Sequence, residues 1–231
     1  MWYNSDYLIY MIPAFILMML VSWYVNATYK KWSSIQSRSQ MTGYDAAKRL
    51  LAAGGLYNVQ IEAVSGKLSD HYDPKGKVLR LSQGVGQGSS VASLAVVAHE
   101  MGHAKQDAEN YFPLRLRSAL VPLVNIGSYM GWIFIILGLI LSWIDLAWIG
   151  VIAFAGGAVF ALATIPVEVN ASKRARALLS STGIITSEDE MRGVGKVLNA
   201  AALTYVAGLV TAILQLLYYA SMVIGLGGRR R

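Results

Sequence analysis

Long apolar runs alternate with polar stretches along this chain, and the intervals free of charge set its plan. Four such intervals occur: 7–29 (23 residues), 118–144 (27), 146–167 (22) and 197–228 (32). Each meets the roughly 20 residues that a helix needs to cross the hydrocarbon core of a bilayer. Four transmembrane helices are therefore expected, the second and third joined by a very short turn at Asp145. The first run is too long for the apolar part of a secretory signal, and Asp6 stands where a signal carries positive charge. A retained anchor over residues 1–29 is expected.

Between the runs the pattern changes. "TGYDAAKRLLAAGGL" predicts a helix, with Thr42 and Asp45 as a capping box and Gly54 and Gly55 as the stop. "YNVQIEAV" alternates through Val59, Ile61 and Ala63 as a strand does. In "DHYDPKGKVLRLS", Asp73, Pro74, Lys75 and Gly76 form a turn that enters a second strand. The glycine-rich "SQGVGQGSS" lacks the Gly-Lys-Ser/Thr ending of a phosphate loop, so it reads as a loop ending in a helix cap at Ser89 or Ser90. From Val91, "VASLAVVAHEMGH" is apolar on all faces, as a helix buried inside a domain is.

Composition agrees with a membrane setting: of 231 residues 55% are hydrophobic and 14% charged, where soluble domains carry about a quarter charged. The net charge of +7 is explained by topology and anionic lipid, because no recognition helix or aromatic-basic RNA motif accompanies it. No nucleic-acid partner is expected. With no cysteine, disulfides and thiolate metal sites are excluded.

Residues 30–117 hold 12 of the 20 Lys and Arg with 7 acids, and 168–196 add 5 basic and 4 acidic residues. Two membrane crossings separate these stretches, so both emerge on one side and can form one small extramembrane domain. The basic excess assigns that side to the cytoplasm. Against it, a single crossing by the last run would leave Arg229, Arg230 and Arg231 outside.

The chemistry concentrates in "VVAHEMGHAKQ", where His99 and His103 stand four apart around Glu100. On a helix the two imidazoles share a face one turn apart and can bind one Zn²⁺ ion. Glu100 points to the side and can reach a water activated by that metal, the geometry of a general base. The bland alternative, polar residues at a helix contact, leaves two imidazoles and a carboxylate buried without partners, which is costly. A third ligand must come from His71, Asp107, Glu109 or Glu168, because "AKQDAENYF" after His103 lacks the metzincin continuation. Glu168 is preferred: it ends a charge-free run in "IPVEVNASKRARAL", where the third span leaves the membrane and its helix can fold back beside HEMGH.

The N-terminal span together with "SDHYDPKGKVLRLS", "VVAHEMGHAKQ" and "PVEVNASKRA" resembles the YugP-like membrane-bound neutral zinc metallopeptidases of bacteria over nearly the whole chain. More distantly the chain is similar to the HtpX and prenyl-protein proteases, gluzincins that join HExxH to a downstream ExxxD glutamate. That resemblance maps the glutamate to Glu168 and the small residue three on to Ala171. It puts Ser172 where the aspartate that orients a histidine ligand belongs, with Asn170 as a possible substitute. It also implies an edge strand ahead of the HExxH helix that pairs with extended substrate, a place occupied here by "KVLRLS". His71 and Tyr72 are candidate donors to a developing oxyanion, and Arg174 is a candidate substrate or transition-state contact.

The expected protein is a mainly α-helical integral membrane protein with four transmembrane helices and a small α+β zincin-like metallopeptidase domain. Its expected parts are an anchor (1–29), a cytoplasmic domain with the HEMGH helix (30–117), a transmembrane hairpin (118–167), a cytoplasmic segment with the third ligand (168–196) and a last span with a basic tail (197–231). One zinc ion per chain is held by His99, His103 and Glu168, with Glu100 as catalytic base. The expected partners are a peptide or membrane-protein substrate and the lipid bilayer of a bacterial inner membrane. Two other readings compete with this one. A site-2-type intramembrane protease would need a Leu-Asp-Gly partner motif, which is absent; a scaffold or chaperone with a vestigial zinc site would not need Glu100.

Overall fold

A computed structural model describes residues 5–228, with side chains over 7–225; Arg229, Arg230 and Arg231 lie outside the described residues. The elements are α1 (Ser5–Ser33), α2 (Gly43–Gly54), β1 (Gln60–Val64), β2 (His71–Asp73), β3 (Val78–Ser82), α3 (Gln83–Gly86), α4 (Val91–Ala108), α5 (Phe112–Ile140), α6 (Ile144–Ser181) and α7 (Glu188–Gly228). The protein is mainly helical, and α1, α5, α6 and α7 are long and apolar enough to cross a membrane. The turn between α5 and α6 falls at 141–143 rather than at Asp145, which lies in the first turn of α6. There its carboxylate faces the positive end of the helix dipole.

The chain divides into two compact units. One comprises the apolar segments 5–22, 116–165 and 204–228. Its helices bring backbones together through small residues: a methyl on Gly131 would stand 2.8 Å from the Gly150 oxygen, and one on Gly138 2.5 Å from the Ala147 nitrogen. Close backbone approach of this kind suits helices that gain nothing hydrophobic by meeting in lipid. Ile126, Tyr129, Ile140 and Ile152 face outward and exposed, which a bilayer tolerates and water does not.

The other unit comprises 23–115 and 166–203. Thr42 caps α2 by accepting from the Asp45 N–H, and Gly55 ends it at φ 68°, a left-handed conformation that glycine adopts without strain. Ser90 caps α4 through the Ser93 N–H. Among the glycines of 82–90, Gly84 and Gly86 lie in the one-turn helix α3 rather than in open loop.

The sheet has the order β1-β3-β2, with β1 parallel and β2 antiparallel to β3. "KVLRLS" is therefore the central strand, and the expectation of an edge strand there is corrected. Val78, Leu79, Leu81 and Ser82 are all buried, as suits a strand with neighbours on both sides. The edge beside α4 is β2, a polar three-residue strand that pairs His71 with Arg80 and Asp73 with Val78. Around α4 the core is Leu50, Leu79, Leu81, Leu94, Met101 and Leu179, each fully enclosed.

Candidate metal centre

His99 and His103 sit on one face of α4, and Glu168 reaches them from α6. The approach of the two helices depends on Gly102, inside the HEMGH stretch: a methyl there would stand 2.5 Å from the Ala171 carbonyl oxygen. With only hydrogen at that position, α6 closes onto α4 and delivers the buried Glu168 carboxylate to the histidines. Its Oε2 lies 3.1 Å from His99 Nε2 and 3.5 Å from His103 Nε2.

One ligand atom from each of these residues lies within 4.8 Å of the others. Ligand atoms about 2.0–2.2 Å from a tetrahedral zinc are themselves roughly 3.3–3.6 Å apart; the 3.5 Å separation falls in that range and the 3.1 Å one is slightly tighter. The donor set, two imidazoles and a carboxylate, matches that of open zinc sites, which leave a fourth position for water.

Both imidazoles are held from behind. His103 Nδ1 lies 3.0 Å from Gln106 Oε1, and Gln106 Nε2 donates to the Val167 oxygen at 2.8 Å and to Asn170 Oδ1 at 3.0 Å. Because the amide nitrogen is spent on those acceptors, Gln106 Oε1 accepts and His103 Nδ1 carries the proton. That leaves the Nε2 lone pair directed to the cluster. His99 Nδ1 lies 3.3 Å from Ser172 Oγ. Ser172 thus sits behind His99 at the position where the resemblance puts an aspartate, whereas Asn170 binds Gln106 and Arg174.

Glu100 follows His99, and its Oε2 accepts the Tyr72 N–H at 3.0 Å. Burial pushes its carboxyl above the ordinary range, against the pull of His99 and His103. Tyr72 therefore meets the site through its backbone. Its hydroxyl donates to Asp107 Oδ2 at 2.7 Å, and burial together with that bond raises the phenol well above its usual value.

The remaining expected residues lie elsewhere. His71 is exposed, with Nδ1 2.8 Å from the Ser69 oxygen. Asp107 accepts from Tyr72 and from Lys77 Nζ. Glu109 pairs with Arg174 Nη1 at 2.6 Å, while Arg174 Nε donates to Asn170 Oδ1 at 2.6 Å and its guanidinium lies 5.7 Å from the Tyr111 ring centre. Of the four third-ligand candidates only Glu168 joins the cluster. Gln106 was missed by sequence reasoning; the available signal was a polar residue three positions after His103, on the same helix face.

Two histidines and a glutamate thus converge beside a second glutamate in a protein with four helices long and apolar enough to cross a membrane, the arrangement expected of a membrane metallopeptidase. The comparisons agree: the chain belongs to the family described as "Putative neutral zinc metallopeptidase", whose model matches residues 7–224. It is 42% identical over 205 residues to the "Putative membrane protease YugP" of Bacillus subtilis (strain 168), covering 89% of this chain and 90% of that relative. No solved structure matches it.

Proposed function

We propose that this protein is a membrane-bound zinc metalloendopeptidase that hydrolyses peptide bonds. The convergence of His99, His103 and Glu168 within ligand distance of one another, with Glu100 alongside, carries the reading. His99, His103 and Glu168 hold the ion, with Ser172 and Gln106 fixing the two imidazoles. Zinc, when bound there, acts as a Lewis acid that acidifies water and polarises a carbonyl.

Glu100 is the general base: it takes the proton of the attacking water and passes it to the departing amide nitrogen. The Tyr72 N–H holds the carboxylate in place. The free edge of β2, next to α4, offers backbone groups to an extended substrate.

The substrate is a peptide or a membrane-protein segment, because Glu168 lies two residues past Pro166, where α6 leaves its apolar segment. The basic excess of 30–117 supports a centre on the cytoplasmic side of a bacterial inner membrane. The helix that carries HEMGH, 18 residues long, lies within the polar unit and is not one of the four candidate spans. That favours a site in water over an intramembrane site.

The test is Glu100→Gln. The amide preserves shape but accepts no proton, so the variant keeps one zinc per chain and loses about 10²–10⁴-fold in peptidase rate. Wild-type turnover in that variant would remove Glu100 from the mechanism.

A further inference from the structure

Beside the metal centre, α6 and α7 form a half-open pocket of about 230 Å³, lined by Val169, Ser172, Lys173, Arg176, Asn199 and Ala202. It is smaller than the roughly 300 Å³ at which pockets for drug-sized ligands begin. Its walls are of two kinds, and they are ordered. On α6 the lining runs from Arg176 through Lys173 to Val169, and on α7 from Asn199 to Ala202. The cationic end is the one farther along the chain from the apolar segments. The apolar end, at Val169 and Ala202, lies within three residues of Pro166 and Leu203, where the polar unit ends on each helix.

The acids nearest along the two helices are engaged elsewhere: Glu168 with His99 and His103, and Glu190 with the Arg38 N–H. Lys173 is exposed and has no ion pair among the described residues. Arg176 is pre-placed: Nη2 donates to Asn199 Oδ1 at 2.9 Å, and the guanidinium lies against Gly195, where a methyl would stand 3.1 Å from Nη2. With its oxygen so engaged, Asn199 presents its amide N–H₂ as a further donor. A guanidinium, an ammonium and an amide around a small cavity form a receptor for a phosphate group.

We infer that the cavity between Lys173, Arg176 and Asn199 binds the phosphate of an anionic phospholipid, with the acyl chains leaving past Val169 and Ala202 toward the bilayer. The order of cation, then apolar wall, then apolar helix is the order of parts in the lipid itself, and basic pockets between helices at the membrane border take such headgroups. The site adjoins the metal centre through Ser172, which lines the cavity and lies 3.3 Å from His99 Nδ1.

The full-length protein, purified in neutral detergent, is titrated with phosphatidylglycerol, with phosphatidylcholine and with inorganic phosphate, and bound lipid is read by native mass spectrometry. Phosphatidylglycerol is retained in preference to phosphatidylcholine. Lys173→Gln and Arg176→Gln each weaken retention about fivefold, the contribution of one cation near an anionic surface, and Lys173→Arg restores it. Saturation by inorganic phosphate with no preference for phosphatidylglycerol would support the anion site but overturn lipid as its source. Equal retention by wild type and Lys173→Gln would overturn the site. Lys173 is exposed and makes no side-chain hydrogen bond among the described residues, so that variant reports even where Arg176→Gln fails to fold.

Discussion

His103 Nδ1 and Gln106 Oε1 lie 3.0 Å apart on successive turns of α4, and the Gln106 amide nitrogen is tied to α6 at Val167 and Asn170. One fully buried side chain therefore sets the tautomer of a candidate ligand and joins the two helices that supply the metal centre. Gln106→Leu removes both functions while keeping the volume. Zinc affinity is expected to fall about 10–100-fold, the usual cost of losing the partner behind a histidine ligand. A competition titration against a chromogenic chelator measures it; unchanged affinity would show that His103 needs no such partner.

Gly102 makes a separable demand on the same helix pair. Gly102→Val leaves every candidate ligand in place but drives a side chain into the Ala171 carbonyl, 2.5 Å from where its Cβ would stand. Overpacking of this kind costs about 1–3 kcal/mol, and here the strain acts along the line joining α4 to Glu168. The variant is expected to lose zinc stoichiometry in detergent while its far-ultraviolet circular dichroism stays helical. Full zinc content would mean that α6 can back away without moving its carboxylate.

These two residues mark the border of what the sequence discloses. The spacing of His99 and His103 is visible because a helix converts an interval of four into a shared face. Glu168 stands out because a carboxylate ending an apolar run needs a reason. Gln106 shares the face of His103 but looks like the start of the solvated "KQDAEN" stretch, and only the arrival of α6 buries it. The sheet behaves similarly. "VLRLS" reads as a strand on composition, yet its central position depends on partners, one of which, "HYD", is too short and polar to signal itself. Helix ends near charges are equally obscure: α7 begins at Glu188, nine residues before its charge-free run, because acidic residues suit a first turn.

Tyr72 separates a backbone role from a side-chain role. Its N–H donates to Glu100, while its hydroxyl donates to Asp107. Tyr72→Phe deletes only the second interaction and is expected to lower kcat less than tenfold. Removal of a donor to a developing oxyanion costs about 10²–10³-fold. A loss of that size, with KM unchanged, would mean that the hydroxyl leaves Asp107 during turnover and meets the substrate.

The third ligand is the sharpest test, because four acidic or imidazole side chains compete for the place on sequence alone and only one joins the cluster. Glu168 Oε2 stands 3.1 and 3.5 Å from the two Nε2 atoms. Asp107 is held by Tyr72 and Lys77, Glu109 by Arg174, and His71 by the Ser69 carbonyl. Glu168→Ala is therefore expected to abolish both stoichiometric zinc and peptidase activity. Glu109→Ala and His71→Ala keep both, and Asp107→Ala keeps zinc while freeing the Tyr72 hydroxyl. Metal analysis of the four purified proteins decides the matter: zinc retained in Glu168→Ala and lost in Asp107→Ala would transfer the ligand to α4 itself and leave the approach of α6 without a chemical purpose.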